Sequence, residues 1–245
     1  MKYFKVGIDV DGIALIEWDM PGRSMNVIDF AVLEEIEHIV ERLKTDTDIR
    51  GAVLTSGKNS FCAGADLVWL KSLAGKFAEA SKQTLDEPAL RALMSEAGRF
   101  SRVFRDLETC GKPVVAAITG TALGGGLELC LACHHRIAAA DASAKLGQPE
   151  AKVGLLPGAG GTQRLPRLAG AEAGLELMLT GRHVDPEQAL KLGIVNELAP
   201  RETLVARAKQ WIKAGGKAAQ PWDEKGFKSP GGAPYSPQGL MMWPA

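Results

Sequence analysis

The stretch "TALGGGLELCLACHH", Thr121–His135, holds three features that point to different chemistries. Its glycines could cradle a phosphate, Glu128 is an acid among apolar residues, and Cys130, Cys133 and His134 have the spacing of a haem-attachment site. The apolar run "KPVVAAITG" before it predicts a buried strand, and "LELCLACHHRIAAA" within and after it predicts a buried helix. A strand, a glycine turn and a helix in this order indicate an α/β protein.

The chain before this stretch contains further strand and helix signals. "FKVGIDV" and "GIALIEW" alternate apolar and polar residues around the turn dipeptide "DG", which predicts a β-hairpin. Asn26, with Asp29 three residues later, is the expected N-cap of a helix that ends near Thr45. "RGAVLTSG" predicts a second buried strand, and helical patterns dominate beyond Ala171.

Composition narrows the classes of function. The chain has 245 residues, of which 46% are hydrophobic, enough for a substantial core. Its 29 basic and 29 acidic side chains cancel, so nothing favours a nucleic acid as partner. The absence of a secretory signal and of a long apolar run, together with only four cysteines, predicts a soluble cytoplasmic protein with no membrane span.

The cysteine and glycine motifs do not fit common cofactor sites. Haem attachment requires thiols that face an exposed pocket, whereas Cys130 and Cys133 lie in an apolar segment that we interpret as core. A zinc site would need a fourth ligand, and no second Cys/His pair exists. "GAVLTSGKN" has five residues between its glycines, where a phosphate-binding P-loop has four, and no Gly-x-Ser-x-Gly elbow is present.

A glycine turn that opens a helix has a more specific use. The first N–H groups of a helix lack acceptors and can stabilise a developing negative charge on oxygen. The tight loop "FCAGAD", which follows the other buried strand, could supply a second N–H donor. Glu128 and Glu150 stand in apolar or glycine-rich surroundings, and buried acids are usually ion-paired or functional. Spacing alone does not show that the two acids meet.

Four segments resemble the enoyl-CoA hydratase (crotonase) family: "NSFCAGADL", "GTALGGGLELCLAC", "AKLGQPEAKVGLLPGAGGTQRLPRLAG" and "MLTGRHVDPEQALKLGIVNEL". The resemblance covers residues 4–212 and implies a spiral of ββα turns with a helical C-terminal region. The tail "QPWDEKGFKSPGG" resembles the segment after the hydratase part of multifunctional fatty-acid oxidation enzymes. We therefore expect a hydratase domain over 1–215 and a Pro/Gly-rich linker over 216–245, cut before a dehydrogenase domain.

The resemblance also implies site residues. The backbone N–H groups of Ala63 and Gly125 would form the oxyanion hole, Glu128 would activate water, and Glu150 would protonate Cα of the substrate. Further substrate contacts, including those to the adenine and pantetheine of coenzyme A, are implied for four positions: Ala65, Asp66, Leu67 and Gly158.

The leading hypothesis is hydration of trans-2-enoyl-CoA in fatty-acid β-oxidation, with isomerisation as a side activity. Two carboxylates and a water would suffice, so we expect no metal and no cofactor beyond the coenzyme A of the substrate. Another acyl-CoA reaction of the family, such as isomerisation, and a non-catalytic acyl-CoA-binding or protein-binding module stay open as alternatives. The resemblance further implies a homo-oligomer, or a thiolase partner for the longer enzyme.

Overall fold

A computed structural model describes residues 1–80, 82, 86–232 and 237 of the chain. Within these residues the strands are β1 (Phe4–Ile8), β2 (Ile13–Trp18), β3 (Gly51–Ser56), β4 (Val114–Ile118), β5 (Ala122–Leu123), β6 (His135–Ala139), β7 (Leu146–Gly147), β8 (His183–Val184) and β9 (Glu197–Ala199). The helices are α1 (Phe30–Thr45), α2 (Leu67–Ala80), α3 (Glu87–Ala97), α4 (Arg99–Glu108), α5 (Gly125–Ala132), α6 (Gly161–Ala169), α7 (Ala171–Thr180), α8 (Pro186–Lys191) and α9 (Leu204–Lys213).

A six-stranded sheet with the order β1-β2-β3-β4-β6-β9 forms the centre of the molecule. β1 and β2 are antiparallel, as the predicted hairpin requires, and every later pairing in this sheet is parallel. A smaller sheet joins β5, β7 and β8 beside it. The predicted α/β class is confirmed, because helices follow the parallel strands and pack against the sheet.

The parallel strands are buried on both faces, which explains their nearly continuous apolar sequences. Along β4, Val114, Ala116 and Ile118 join the main core, whereas the alternate residues Val115 and Ala117 face a second cluster. Helix α9 covers that second face of the sheet.

Helix α1 ends at Thr45 as predicted, but it begins at Phe30, and the predicted cap was wrong. Asp29 is the N-cap, and its side chain accepts a hydrogen bond from the N–H of Val32. Asn26 is completely buried instead, and its amide nitrogen donates to the carbonyl oxygens of Trp18 and Phe61. Its side chain therefore joins two loops rather than starting a helix.

The predicted long helix over "LELCLACHHRIAAA" was also wrong in its second half. Helix α5 ends at Ala132, and the residues that follow form strand β6. Strand β6 lies between β4 and β9 in the parallel sheet. The sequence of β6, "HRIAA", is too short to show the period of a half-buried helix or of a half-buried strand, so pairing with neighbouring strands decides its conformation.

The described part of the predicted linker lies on the domain. The amide of Gln220 is buried and donates to the carbonyl oxygens of Leu131, Ala132 and Cys133 at the end of α5, at 3.0 to 3.3 Å. Asp223 forms two hydrogen bonds with Arg105 of α4. Residues 233–236 and 238–245 lie outside the described residues, and the boundary at 215 stays a prediction. Among the described residues, no helix is long and apolar enough to cross a bilayer.

Candidate active site

The loops after β3 and β4 lie at the same edge of the sheet, because these strands are parallel neighbours. Between them is a cavity of about 360 Å³. The loop after β3 contributes residues 63–65, and the glycine turn before α5 contributes Gly124 and Gly125. Glu128 and Glu150 also line the cavity, so the fold brings together both acids and both small-residue loops.

The three consecutive glycines meet three different steric demands. Gly124 has φ of +51°, and a Cβ there would lie 2.9 Å from Oε1 of Glu150. A Cβ at Gly126 would lie 2.6 Å from Cβ of Cys62, so this glycine permits close packing of α5 on the loop after β3. A Cβ at Gly125 would be crowded only by Cδ1 of Ile28, at 3.3 Å. Gly125 therefore borders the cavity itself, and its N–H belongs to the first turn of α5.

The N–H group of Ala63, which was predicted as an oxyanion-hole donor, already has an acceptor in the structure. The N–H of Ala63 donates to the carbonyl oxygen of Asn26 at 2.9 Å and is therefore not available to a substrate. The N–H of Ala65 has no acceptor among the described residues, and its nitrogen lies 3.9 Å from the Cβ position of Gly125. The parallel bridge with Ile28 is formed by the carbonyl oxygen of Gly64 and the N–H of Asp66, so the N–H of Ala65 points away from Ile28.

Glu128 is held in one orientation on helix α5. It is 2% exposed, and its Oε1 accepts hydrogen bonds from the N–H groups of Ala159 and Gly161 at 2.8 and 2.7 Å. Burial raises the pKa of Glu128, and these two donors together with the charge of Arg164 oppose that effect. Oε2 lies on the side of Gly125, 3.9 Å from its Cβ position. One carboxylate oxygen is thus bound, and the other borders the cavity.

Glu150 begins a short 3₁₀ helix, Glu150–Val153, on another wall of the cavity. Burial raises the pKa of Glu150 to about 7, and the negative charge of Glu128 contributes to that rise. Gln148, which is completely buried, can donate its amide to both Glu150 oxygens at 3.0 and 3.1 Å. Two acids on one cavity with unlike surroundings are suited to different proton-transfer roles.

The remaining predicted contacts divide into two groups. Leu67 and Gly158 line the cavity, and a Cβ at Gly158 would meet nothing within 4 Å. The carboxylate of Asp66 is occupied elsewhere: it accepts the N–H groups of Val68 and Trp69 at the start of α2 and pairs with Arg23 at 3.1 Å. Its side chain therefore anchors the helix. The rest of the cavity wall is largely apolar and includes Trp69, Leu70, Phe100, Leu155 and Leu156.

Sequence analysis missed Gln148 and Arg164. Gln148 stands two residues before Glu150 in "GQPE", and a buried amide beside an acid is the signal that could have indicated it. Arg164 stands in "TQRLPRL", a stretch with other polar residues in which nothing marks it as buried. Its partner, Glu108, lies 56 residues earlier in the chain, so no local pattern connects the two.

Cys130 and Cys133 lie in the core, as predicted. All four are free and buried, and burial raises the pKa values of Cys62 and Cys133 to about 12. His134 uses both ring nitrogens: Nδ1 accepts from the N–H of Val114, and Nε2 donates to the carbonyl oxygen of Glu108. Across the described ranges, no cluster of three His, Cys, Asp or Glu side chains could hold a metal ion.

We expect Cys130→Ser and Cys133→Ser to keep the activity of the wild type, apart from a loss of stability. Each hydroxyl would be buried where the thiol is now fully enclosed, at a cost of about 1 to 3 kcal/mol in the free energy of unfolding. Activity and thermal melting of each variant, with the Cys→Ala variants as controls, check this. Stoichiometric haem or zinc in the purified wild-type protein would contradict it.

Comparison with known proteins agrees with this geometry. The family model described as enoyl-CoA hydratase/isomerase matches residues 9–220. The fatty acid oxidation complex subunit alpha of Shewanella baltica (strain OS185) is 47% identical over 221 residues, which are 90% of this chain and 29% of that protein. The subunit of the same name from Shewanella frigidimarina (strain NCIMB 400) is 45% identical with the same coverage. The chain thus spans 29% of the length of these curated relatives.

Solved structures show the same fold. The crystal structure of an enoyl-CoA hydratase from Bacillus anthracis is 33% identical with a TM-score of 0.71, and the match covers 86% of this chain and 76% of that one. The structure of Pseudomonas aeruginosa DspI is 33% identical with a TM-score of 0.72, covering 87% and 74%. The predicted crotonase-like fold is therefore confirmed. Since the family model covers most of the chain, including both cavity acids, this protein belongs to the enoyl-CoA hydratase/isomerase family.

Proposed function

We propose that this chain adds water to trans-2-enoyl-CoA to give 3-hydroxyacyl-CoA. The observation that carries the proposal is the convergence of two acids and two unpaired N–H groups on one apolar cavity. The N–H groups of Ala65 and Gly125 would hold the thioester oxygen, where negative charge develops in the transition state. This replaces Ala63, whose N–H is already bonded.

The two acids divide the proton transfers. Glu128 takes a proton from water through Oε2 while the water oxygen bonds to Cβ of the substrate. Glu150 then gives its proton to Cα, where the carbon–carbon π electron pair of the enolate forms the new C–H bond. The lone pair on the enolate oxygen re-forms the thioester carbonyl, and the negative charge ends on the Glu150 carboxylate. The substrate gains one hydroxyl and one hydrogen, Glu128 gains a proton and Glu150 loses one. Exchange with solvent restores both acids.

The assay that tests this proposal follows the loss of absorbance of a conjugated enoyl thioester across a series of acyl-chain lengths. Chromatography of the products separates the two reactions that the cavity could support. Hydration gives 3-hydroxyacyl-CoA, whereas isomerisation moves the double bond without adding water. Binding of the thioester with no change in absorbance at any chain length would indicate a non-catalytic acyl-CoA module and would overturn the proposal.

We further propose that the chain is the hydratase part of a multifunctional fatty-acid oxidation enzyme. The support is the name of the Shewanella relatives, whose length this chain spans only in part. A thiolase partner, a homo-oligomeric state and a cytoplasmic location belong to the same proposal. Four buried free thiols agree with a reducing compartment. Co-purification of a tagged full-length protein with its partners tests the assembly.

The rate should fall on the alkaline side as Glu150 loses the proton that it has to donate. Burial raises the pKa of this acid to about 7, so the protonated form dominates below that pH and disappears above it. We expect kcat/KM to decline about tenfold per pH unit above this value. The measurement is a pH–rate profile of the wild type beside Glu150→Gln, whose residual activity should lack this alkaline limb. A flat wild-type profile from about pH 6 to 9 would contradict the assignment.

A further inference from the structure

A buried ion pair lies behind the cavity, between Glu108 at the end of α4 and Arg164 on α6. Nε and Nη2 of Arg164 donate to Oε1 and Oε2 of Glu108 at 2.7 and 2.9 Å. The side chains are 6% and 2% exposed for Arg164 and Glu108, respectively. Removing two charges from water is costly, so a buried pair of this kind is a poor source of stability. The presence of this ion pair therefore needs an explanation other than stability.

The third guanidinium nitrogen indicates that reason. Nη1 of Arg164 donates to the carbonyl oxygen of Ala159 at 2.7 Å. The N–H groups of Ala159 and Gly161 are the two donors to Oε1 of Glu128. Arg164 and Glu128 therefore hold the same three-residue turn from opposite sides.

Gly160, at the centre of this turn, makes the close approach of the guanidinium possible. Its φ of +104° is one that other residues rarely adopt, and a Cβ there would overlap the Arg164 guanidinium. The turn thus has a backbone shape that fits Arg164 on one face and the Glu128 carboxylate on the other.

Glu108 is itself fixed from its far side. Arg105 donates to Oε2 of Glu108 at 3.0 Å and forms a two-bond pair with Asp223 at 2.8 Å. Nε2 of His134 donates to the backbone carbonyl of Glu108 at 2.9 Å. A continuous chain of charge-assisted hydrogen bonds therefore extends from the segment after α9 to the turn that holds Glu128.

We propose that Arg164, anchored by Glu108, is a positioning residue that fixes the turn 159–161 so that only Oε2 of Glu128 is left to act on water. The proposal rests on the role of Glu128 in the proposed function. The hydrogen bonds of Arg164 would affect the rate by fixing the position of the Glu128 carboxylate, because a displacement of about 1 Å at a reacting group can reduce the rate about 100-fold.

Arg164 also acts on Glu128 through its charge. The charged groups that act on Glu128 are Arg164 from α6 and Glu150 from the 3₁₀ helix, and the other charged residues that line the same cavity are Glu96, Arg99 and Lys152. The positive charge of Arg164 lowers the pKa of Glu128 against the effect of burial. Loss of Arg164 should therefore raise the pKa of Glu128, so that the base becomes protonated at a higher pH.

The central experiment replaces both members of the pair, Glu108→Met with Arg164→Met. Exchange of a buried ion pair for apolar side chains of similar volume is often neutral or stabilising, so this double variant should remain folded. We expect kcat to fall about 10- to 100-fold with KM within about threefold of the wild type. The acidic limb of the pH–rate profile should move to higher pH.

Two single variants complete the experiment. Arg164→Lys keeps the charge but cannot form three hydrogen bonds in a fixed plane, so we expect a smaller shift of the acidic limb and a clear loss of kcat. Arg167→Met is the matched control, because Arg167 lies on the same helix and, within the part of the chain that the structure describes, its side chain bonds only to Gln163. Its kcat and pH profile should equal those of the wild type.

A readout that does not need catalysis separates this proposal from the proposed function. The ¹³C NMR signal of the Glu128 carboxyl, assigned by its absence in Glu128→Gln, can be titrated in the wild type and in the double variant. If the wild type has no hydratase activity but the titration shifts, only the proposed function fails. A folded double variant with wild-type kcat and an unchanged Glu128 titration would overturn the positioning role.

Discussion

Glu128→Gln and Glu150→Gln should each lower hydratase turnover by about 10² to 10⁴ while the protein stays folded. Both changes keep the size of the side chain and remove a group that must carry or accept a proton. At position 128 the amide can still face the N–H groups of Ala159 and Gly161 with its oxygen, so the turn should remain in place. At position 150 the amide can still bond to Gln148.

The measurement is kcat with an enoyl thioester of the preferred chain length, beside circular dichroism and thermal melting. Glu172→Gln is the matched control, since Glu172 is an exposed acid in the first turn of α7. It should leave kcat unchanged. Near-wild-type turnover in a folded Glu128 or Glu150 variant would remove that acid from the mechanism.

Gly125→Val should abolish most of the activity although no side chain is lost. A Cβ at this position would point into the space between the Ala65 nitrogen and Oε2 of Glu128, each 3.9 Å away. The two methyl groups of valine would then occupy the place of the thioester oxygen. The loss of one oxyanion-hole donor typically costs about 3 to 4 kcal/mol in the activation free energy, and steric exclusion adds to it.

Alanine at the neighbouring Gly126 is a control that should lower stability rather than block the cavity. Gly126→Ala should reduce stability, because its Cβ would be only 2.6 Å from Cβ of Cys62, whereas Gly125→Ala meets a single methyl group at 3.3 Å. Leu127→Met is a conservative change in the core next to both and should stay active within a few-fold. If Gly125→Val folded and kept normal turnover, the glycines would serve packing alone.

The elements that the sequence predicted correctly are those with a strong local pattern. The hairpin of β1 and β2 follows from alternation around "DG", and α1 follows from apolar residues at helical spacing. Strand β6, "HRIAA", lacks such a pattern, and its conformation depends on pairing with β4 and β9. Asparagine is a common helix cap, but the side-chain amide of Asn26 is buried and donates to the carbonyl oxygens of Trp18 and Phe61.

In the candidate site, too, the sequence predicts the local motifs but not their tertiary contacts. The motifs around Glu128, Glu150 and Gly125 are contiguous in sequence, so their presence could be predicted, whereas their convergence depends on the sheet order. Ala63 and Ala65 flank one glycine and look alike in sequence. In the structure, the carbonyl oxygen of Asn26 accepts the N–H of Ala63, so the N–H of Ala65 is the one left for a substrate.

The contact of Gln220 with α5 constrains the order of events during synthesis. Its amide satisfies backbone carbonyl groups 87 to 89 residues earlier in the chain, at the end of the helix that carries Glu128. Ribosomes make the chain from its N-terminus, and a contact of this separation requires the closure of a long loop. The helix at the centre of the catalytic cavity is thus translated well before the group that satisfies its last carbonyls exists.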